Sequence, residues 1–185
     1  MTLASATGGI LFNFTTNGNA QLLTERFRGL MSDPATLGLL LASIYAIASV
    51  AQLVVGRLID RVALKPLYLG IALLQVPVLL FASQEQGWWL YAGMLGMMIF
   101  IFGAIPFTDA MIVRYVDDHM RSRVAGMRLA VSLGISSLAV WLLGPLVKSM
   151  GFDKVLLMLA GVALCTAFTV LWLPSEQSSP ETAAA

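Results

Sequence analysis

Polar residues fall in clusters along this chain, and between them lie six long apolar runs at roughly 2–23, 34–56, 66–83, 88–113, 122–147 and 153–173. Each approaches the ~20 residues that a helix needs to cross bilayer hydrocarbon. The runs are too long and too continuous for the alternating strands of a membrane barrel, and backbone groups in lipid must be satisfied internally, which leaves helices. The pattern predicts an all-α, polytopic transmembrane bundle of six helices over residues 1–173. The end of the chain, 174–185, is small, polar and acidic, the composition of a disordered tail.

Helix-boundary signals agree with these runs. Asp33 before Pro34 reads as an N-cap followed by a first-turn proline, Pro66 can open the third helix, Asp153 can cap the sixth and Pro174 can end it. Pro77 and Pro106 fall inside the third and fourth runs and should bend them. Trp88, Trp89 and Tyr91 begin the fourth run, and Trp172 closes the sixth, as interfacial anchors.

Composition narrows the class. The chain is 58% hydrophobic and 11% charged, with mean hydropathy +0.85, whereas soluble domains carry charge on about a quarter of their residues. Six spans nearly exhaust 185 residues and leave no room for a soluble domain. The first ten residues hold no Lys or Arg, so the first run is read as a helix and not as a secretory signal. Cys165, inside the sixth run, offers no disulfide and reads as a small buried or lipid-facing residue. His119 stands alone in the loop VDDHMRSR, so no metal site, cofactor or catalytic set is expected, and a net charge of +1 does not point to nucleic acid.

Lys and Arg divide unevenly between loops. The even loops hold Arg57, Arg61, Lys65, Arg114, Arg121, Arg123 and Arg128, and the odd ones Arg26, Arg28, Lys148 and Lys154. By the positive-inside rule, the even loops and both termini are expected in the cytoplasm.

An offset of 88 residues lays the second run on the fifth: Gly38 on Gly126, Ala42 on Ala130, Ser49 on Ser137 and Gly56 on Gly144. This predicts a 3+3 repeat. Three spans being an odd number, the copies cross the membrane in opposite directions, as in many secondary transporters. On the second helix Gly38, Ala42, Tyr45, Ser49, Gln52 and Gly56 share one face, read as a helix-packing stripe in preference to a pore lining. Gly126, Gly134, Gly144 and Pro145 are read as packing positions on the fifth. On the first helix Asn13, Thr16, Asn17 and Gln21 share a face that must meet water, solute or other polar groups, and two readings follow: cavity lining or interhelical hydrogen bonding. Asp109 is the one carboxylate well inside a run, near its cytoplasmic edge, and is expected to pair with Arg57, Arg61 or Lys65.

The stretch GRLIDRVALKP (56–66) resembles the signature loop of the major facilitator superfamily, matched at Gly56, Leu58, Asp60, Arg61, Lys65 and Pro66. Ile59, Ala63 and Leu64 depart from that pattern. Residues 114–146, with Arg121, Arg123, Gly126, Gly134 and the Gly144-Pro145 exit, resemble the superfamily's loop into the fifth helix of a half. The resemblance implies one half, the C-terminal one, of a twelve-helix secondary transporter in the bacterial inner membrane. Its partners would be the lipid bilayer, a small-molecule substrate and a second six-helix half, separately encoded or formed by self-pairing. It implies gate roles for Gly56, Asp60, Arg61, Lys65 and Asp109, and favours cavity lining for the first-helix stripe. Two other readings are a non-transporting membrane scaffold and an intramembrane enzyme. The enzyme would need a paired acid or a Ser–His set at depth, which His119 and Asp109 do not supply.

Overall fold

The computed structural model describes residues 2–31 and 33–172. Among them the chain forms five helices and no strand: α1 (Thr2–Arg26), α2 (Pro34–Ile59), α3 (Leu64–Gln84), α4 (Gly87–Tyr115) and α5 (Asp118–Leu171). Pro174 and the tail expected over 174–185 lie outside the described residues. Helices α2 to α5 are long and apolar enough to cross a membrane. Helix α1, counted among the spans on its length, is not one of these; Asn13, Thr15, Thr16, Asn17, Asn19 and Gln21 dilute its apolar character. It packs instead against α2, α4 and α5, which bury Thr15 and Asn19 inside the bundle.

The loop expected between the fifth and sixth runs is a correction: α5 takes up both runs, and only Gly151 (φ 79°, ψ 163°) leaves helical conformation. That region of backbone space is open to glycine alone. A straight helix would hold Ile135 and Thr166 about 46 Å apart at 1.5 Å per residue. Yet Ile135 lies against Gly9 of α1, and Thr166 donates to the Thr7 hydroxyl two residues away at 2.8 Å. Leu143 and Phe152 likewise meet at Gly18, each 3.5 Å from where its Cβ would stand. The chain therefore reverses at Gly151, and α5 is two antiparallel arms, 118–150 and 152–171.

Side chains tie the helix ends together at the two poles of the bundle. At one pole Arg26 forms an ion pair with Asp153 and donates to the Glu85 carbonyl at 3.3 Å, joining the end of α1, the α3–α4 turn and the α5 reversal. Asp153, expected as a cap, spends its charge on this pair. At the other pole Arg114 Nη2 donates to the Ile59 carbonyl at the end of α2 (2.7 Å). Arg121 donates through Nη2 to the Val113 carbonyl at the end of α4 (2.6 Å) and pairs through Nη1 with Asp118. Cations on terminal carbonyls satisfy orphan acceptors and the negative end of the helix dipole. Asp33 caps α2 as expected, its Oδ2 accepting from Thr36 N–H (3.0 Å) and Oγ1 (2.5 Å), with Pro34 in the first turn. Helix α3 begins earlier than expected, at Leu64, which leaves Pro66 inside its first turn.

The main core joins Leu11, Phe14, Leu22 and Leu23 of α1 to Met94, Met97 and Met98 of α4 and to Phe152, Leu156 and Leu159 of the second α5 arm. A smaller cluster at the Ile59 pole gathers Ala4, Leu64, Met111 and Val170 around Tyr68 and Phe107, whose rings stack with centroids 4.7 Å apart. Two elements contribute least to this packing. Helix α2 buries only Leu37, Ile44, Ala48 and Ile59, and the first arm of α5 only Ala139, Leu143 and Val147.

Candidate functional site

The principal cavity among the described residues, about 280 Å³, lies between α1, α3, α4 and the first arm of α5. Gly8 and Gly9 of α1 line it: a Cβ at Gly9 would stop 4.0 Å from Ile135 of the arm, and one at Gly8 3.9 Å from the Tyr68 hydroxyl of α3. Phe12, Ile101, Ile105 and Ile135 give it apolar walls. Its polar groups are Ser5 and Asn13 of α1, Tyr68 of α3, Thr108 of α4, and Arg128, Ser132 and Ser136 of α5. The last three recur at i, i+4 and i+8 and so form one stripe on the arm. A concave, mostly apolar pocket with a few convergent polar groups is the usual form of a small-molecule site.

Arg128 is the single charged residue of this lining. The sequence reading assigned it to the fourth loop, but it lies ten residues into α5, about 15 Å along the helix. The ion pair expected between Asp109 and the loop bases is also a correction: Asp109 Oδ1 stands 2.6 Å from Arg128 Nη1. The contact is one of charge only, because Nη1 is sealed from solvent and makes no aligned hydrogen bond. Arg57, Asp60 and Arg61 are exposed around the α2–α3 turn, with Gly56 and Lys65 partly covered, and Asp60 is the C-cap of α2.

Of the four polar residues expected on the α1 stripe, Asn13 lines the cavity, its Nδ2 donating to the Gly9 carbonyl at 2.8 Å. Thr16 is partly buried, its Oγ1 unpartnered among the described residues, and its carbonyl accepts from the Tyr45 hydroxyl at 3.1 Å. Asn17 and Gln21 are exposed. A separate polar network, which the sequence reading missed, links α1, α2 and α4: Asn19 Nδ2 reaches the Tyr45 hydroxyl at 3.4 Å, and the Ser43 and Tyr91 hydroxyls meet at 2.6 Å.

The glycines expected at helix-packing positions meet no neighbour within this chain. A Cβ added at Gly38, Gly56, Gly126, Gly134 or Gly144 would meet nothing within 4 Å, and Ser49 and Pro145 are exposed with Gln52 half-buried. Close approach occurs instead on α4, where a Cβ at Gly93 would stand 3.1 Å from Ala82 Cβ and one at Gly96 3.0 Å from Val78 Cγ1.

Compared with known proteins, the sequence matches the profile of one family, described as Major Facilitator Superfamily, over residues 3–185. No curated protein and no solved structure matches.

Proposed function

The chain belongs to the major facilitator superfamily, and from that premise we propose that it forms one six-helix half of a secondary transporter that moves a small solute by alternating access. The superfamily's members are transporters and not enzymes, and the chain is an integral, multi-pass membrane protein. The reversal at Gly151 supports counting α5 as two rods, hence six. The proposed cytoplasmic pole is the one with Arg57, Arg61, Lys65, Arg114, Arg121 and Arg123, against Arg26, Arg28, Lys148 and Lys154 at the other. Both termini would lie on that side of a bacterial inner membrane. A cysteine placed at Ser122 should be labelled only from the cytoplasm and one at Gln86 only from outside.

The observation that carries the reading is the cavity, walled on one side by the arm of α5 that this chain covers least. The two elements with the least cover, α2 and that arm, are also the two that the 88-residue offset relates. Gly38 and Gly126, Ala42 and Ala130, and Ser49 and Ser137 are exposed in both copies. Small and polar residues serve helix–helix contact in lipid, where aliphatic residues would suffice for the bilayer. This supports a second six-helix unit docked over both helices, supplied by another polypeptide stretch or by self-pairing, and a 3+3 inverted repeat in which equivalent helices share one interface. The resemblance of residues 114–146 favours the C-terminal half.

The test is substitution at the uncovered glycines. Gly38→Leu and Gly134→Leu have open space within the chain, so the purified protein should keep its fold and thermal stability. Transport by the assembled protein in proteoliposomes should be lost. Unchanged flux in both variants would place these faces against lipid and overturn the docked second unit, whereas absence of flux from the native protein would favour the scaffold reading.

A further inference from the structure

We infer that the cavity takes a small organic anion, a carboxylate carried on an apolar body, anchored by Arg128; this rests on the transport reading and narrows it to a substrate class. Four features converge. Arg128 is the one charged side chain of the lining, which contains no Asp, Glu or Lys. It lies about 15 Å along α5, on an apolar stretch of helix where a cation is costly unless it faces a polar cavity. Its guanidinium is under-used: Asp109 touches Nη1 without an aligned hydrogen bond, and among the described residues neither Nε nor Nη2 makes one. The planar fork matches a carboxylate in bidentate fashion.

Around that anchor, Ser132 and Ser136 place hydroxyl donors one and two turns along the same face, and neither makes a side-chain hydrogen bond among the described residues. Phe12, Ile101, Ile105 and Ile135 would receive the apolar body. A cation would meet Arg128 with no carboxylate in the lining to offset it, and a neutral solute would leave the fork unmet. The volume, about 280 Å³, is at the small end for ligand pockets. Asp109 acts as the competitor. With its side chain 67% exposed against 30% for Arg128, it can give way to an incoming carboxylate.

The experiment is calorimetric titration of the 185-residue chain in nanodiscs, with protein-free nanodiscs as the reference, using hexanoate, hexan-1-ol and hexylamine. These share an apolar body and differ in head group. Hexanoate should bind saturably, hexan-1-ol about tenfold or more weakly for loss of charge-assisted hydrogen bonds, and hexylamine not at all. Arg128→Gln should weaken hexanoate by about the same factor while leaving hexan-1-ol unchanged. Asp109→Asn should tighten hexanoate, because the competing carboxylate is gone. If Arg128→Gln fails to fold, Asp109→Asn and the head-group series decide. Hexylamine binding as well as hexanoate, no hexanoate binding at all, or loss of hexanoate binding in Asp109→Asn overturns the inference. Overturning it leaves the transport reading intact, since that reading is tested separately by flux in the Gly38 and Gly134 variants.

Discussion

A methyl group added at Gly93 would come 3.1 Å from Ala82 Cβ and 3.2 Å from its backbone Cα, while one added at Gly126 meets nothing. Backbone gives way less readily than a side-chain tip, so Gly93→Ala should overpack the α3–α4 contact and cost about 1–3 kcal/mol. Gly126→Ala should cost no packing energy, and paired unfolding curves in detergent compare the two. The sequence shows a glycine on a helix face but not the element opposite it, so the packing positions on α2 and the first α5 arm were legible as a stripe while what packs on them was not. Arg128 was misplaced for a related reason: a base near an apolar boundary reads as loop, and only the Arg128–Ser132–Ser136 spacing marks it as one face of a helix. Asp33 was legible because capping is local. Hydrogen bonds from the Thr36 hydroxyl and N–H hold its carboxyl below the ordinary value. A depressed folded-state pKa means that the cap's contribution is present at neutral pH and lost as pH falls through that value. Acid unfolding of Asp33→Ala should lack this component.

The helices themselves follow from apolar runs, and α2, α3 and α4 begin and end within three residues of the pattern's limits. The fifth and sixth runs were read as two spans, yet no loop divides them, because a single glycine in a glycine-only conformation reverses the chain. Space at Gly151 is open, so Gly151→Ala isolates the backbone effect: we expect a loss of about 1–3 kcal/mol, read as a lower midpoint of thermal unfolding. The reversal is pinned by the Arg26–Asp153 pair, and Arg26→Ala should expose the 150–153 turn to protease first. Helix α1 shows where composition misleads. Its amides and hydroxyls are too many for a lipid-facing span, and the bundle accommodates them by surrounding α1 with three helices.

At the scale of the whole molecule, the account turns on what covers α2 and the first arm of α5. Their exposed small residues, their relation by the 88-residue offset and the cavity between α1 and that arm support a half that works only when docked to another. Asp60 and Arg61 stand exposed at the edge of α2, where the proposed second unit would meet them. The most direct measurement is the flux of the purified chain in proteoliposomes, with its mass determined in nanodiscs, for the native sequence and for Asp60→Asn. The account predicts no transport by a monomer, and transport weakened by Asp60→Asn when a second six-helix unit is present. Robust uptake by a proven monomer, unaffected by Asp60→Asn, would contradict it.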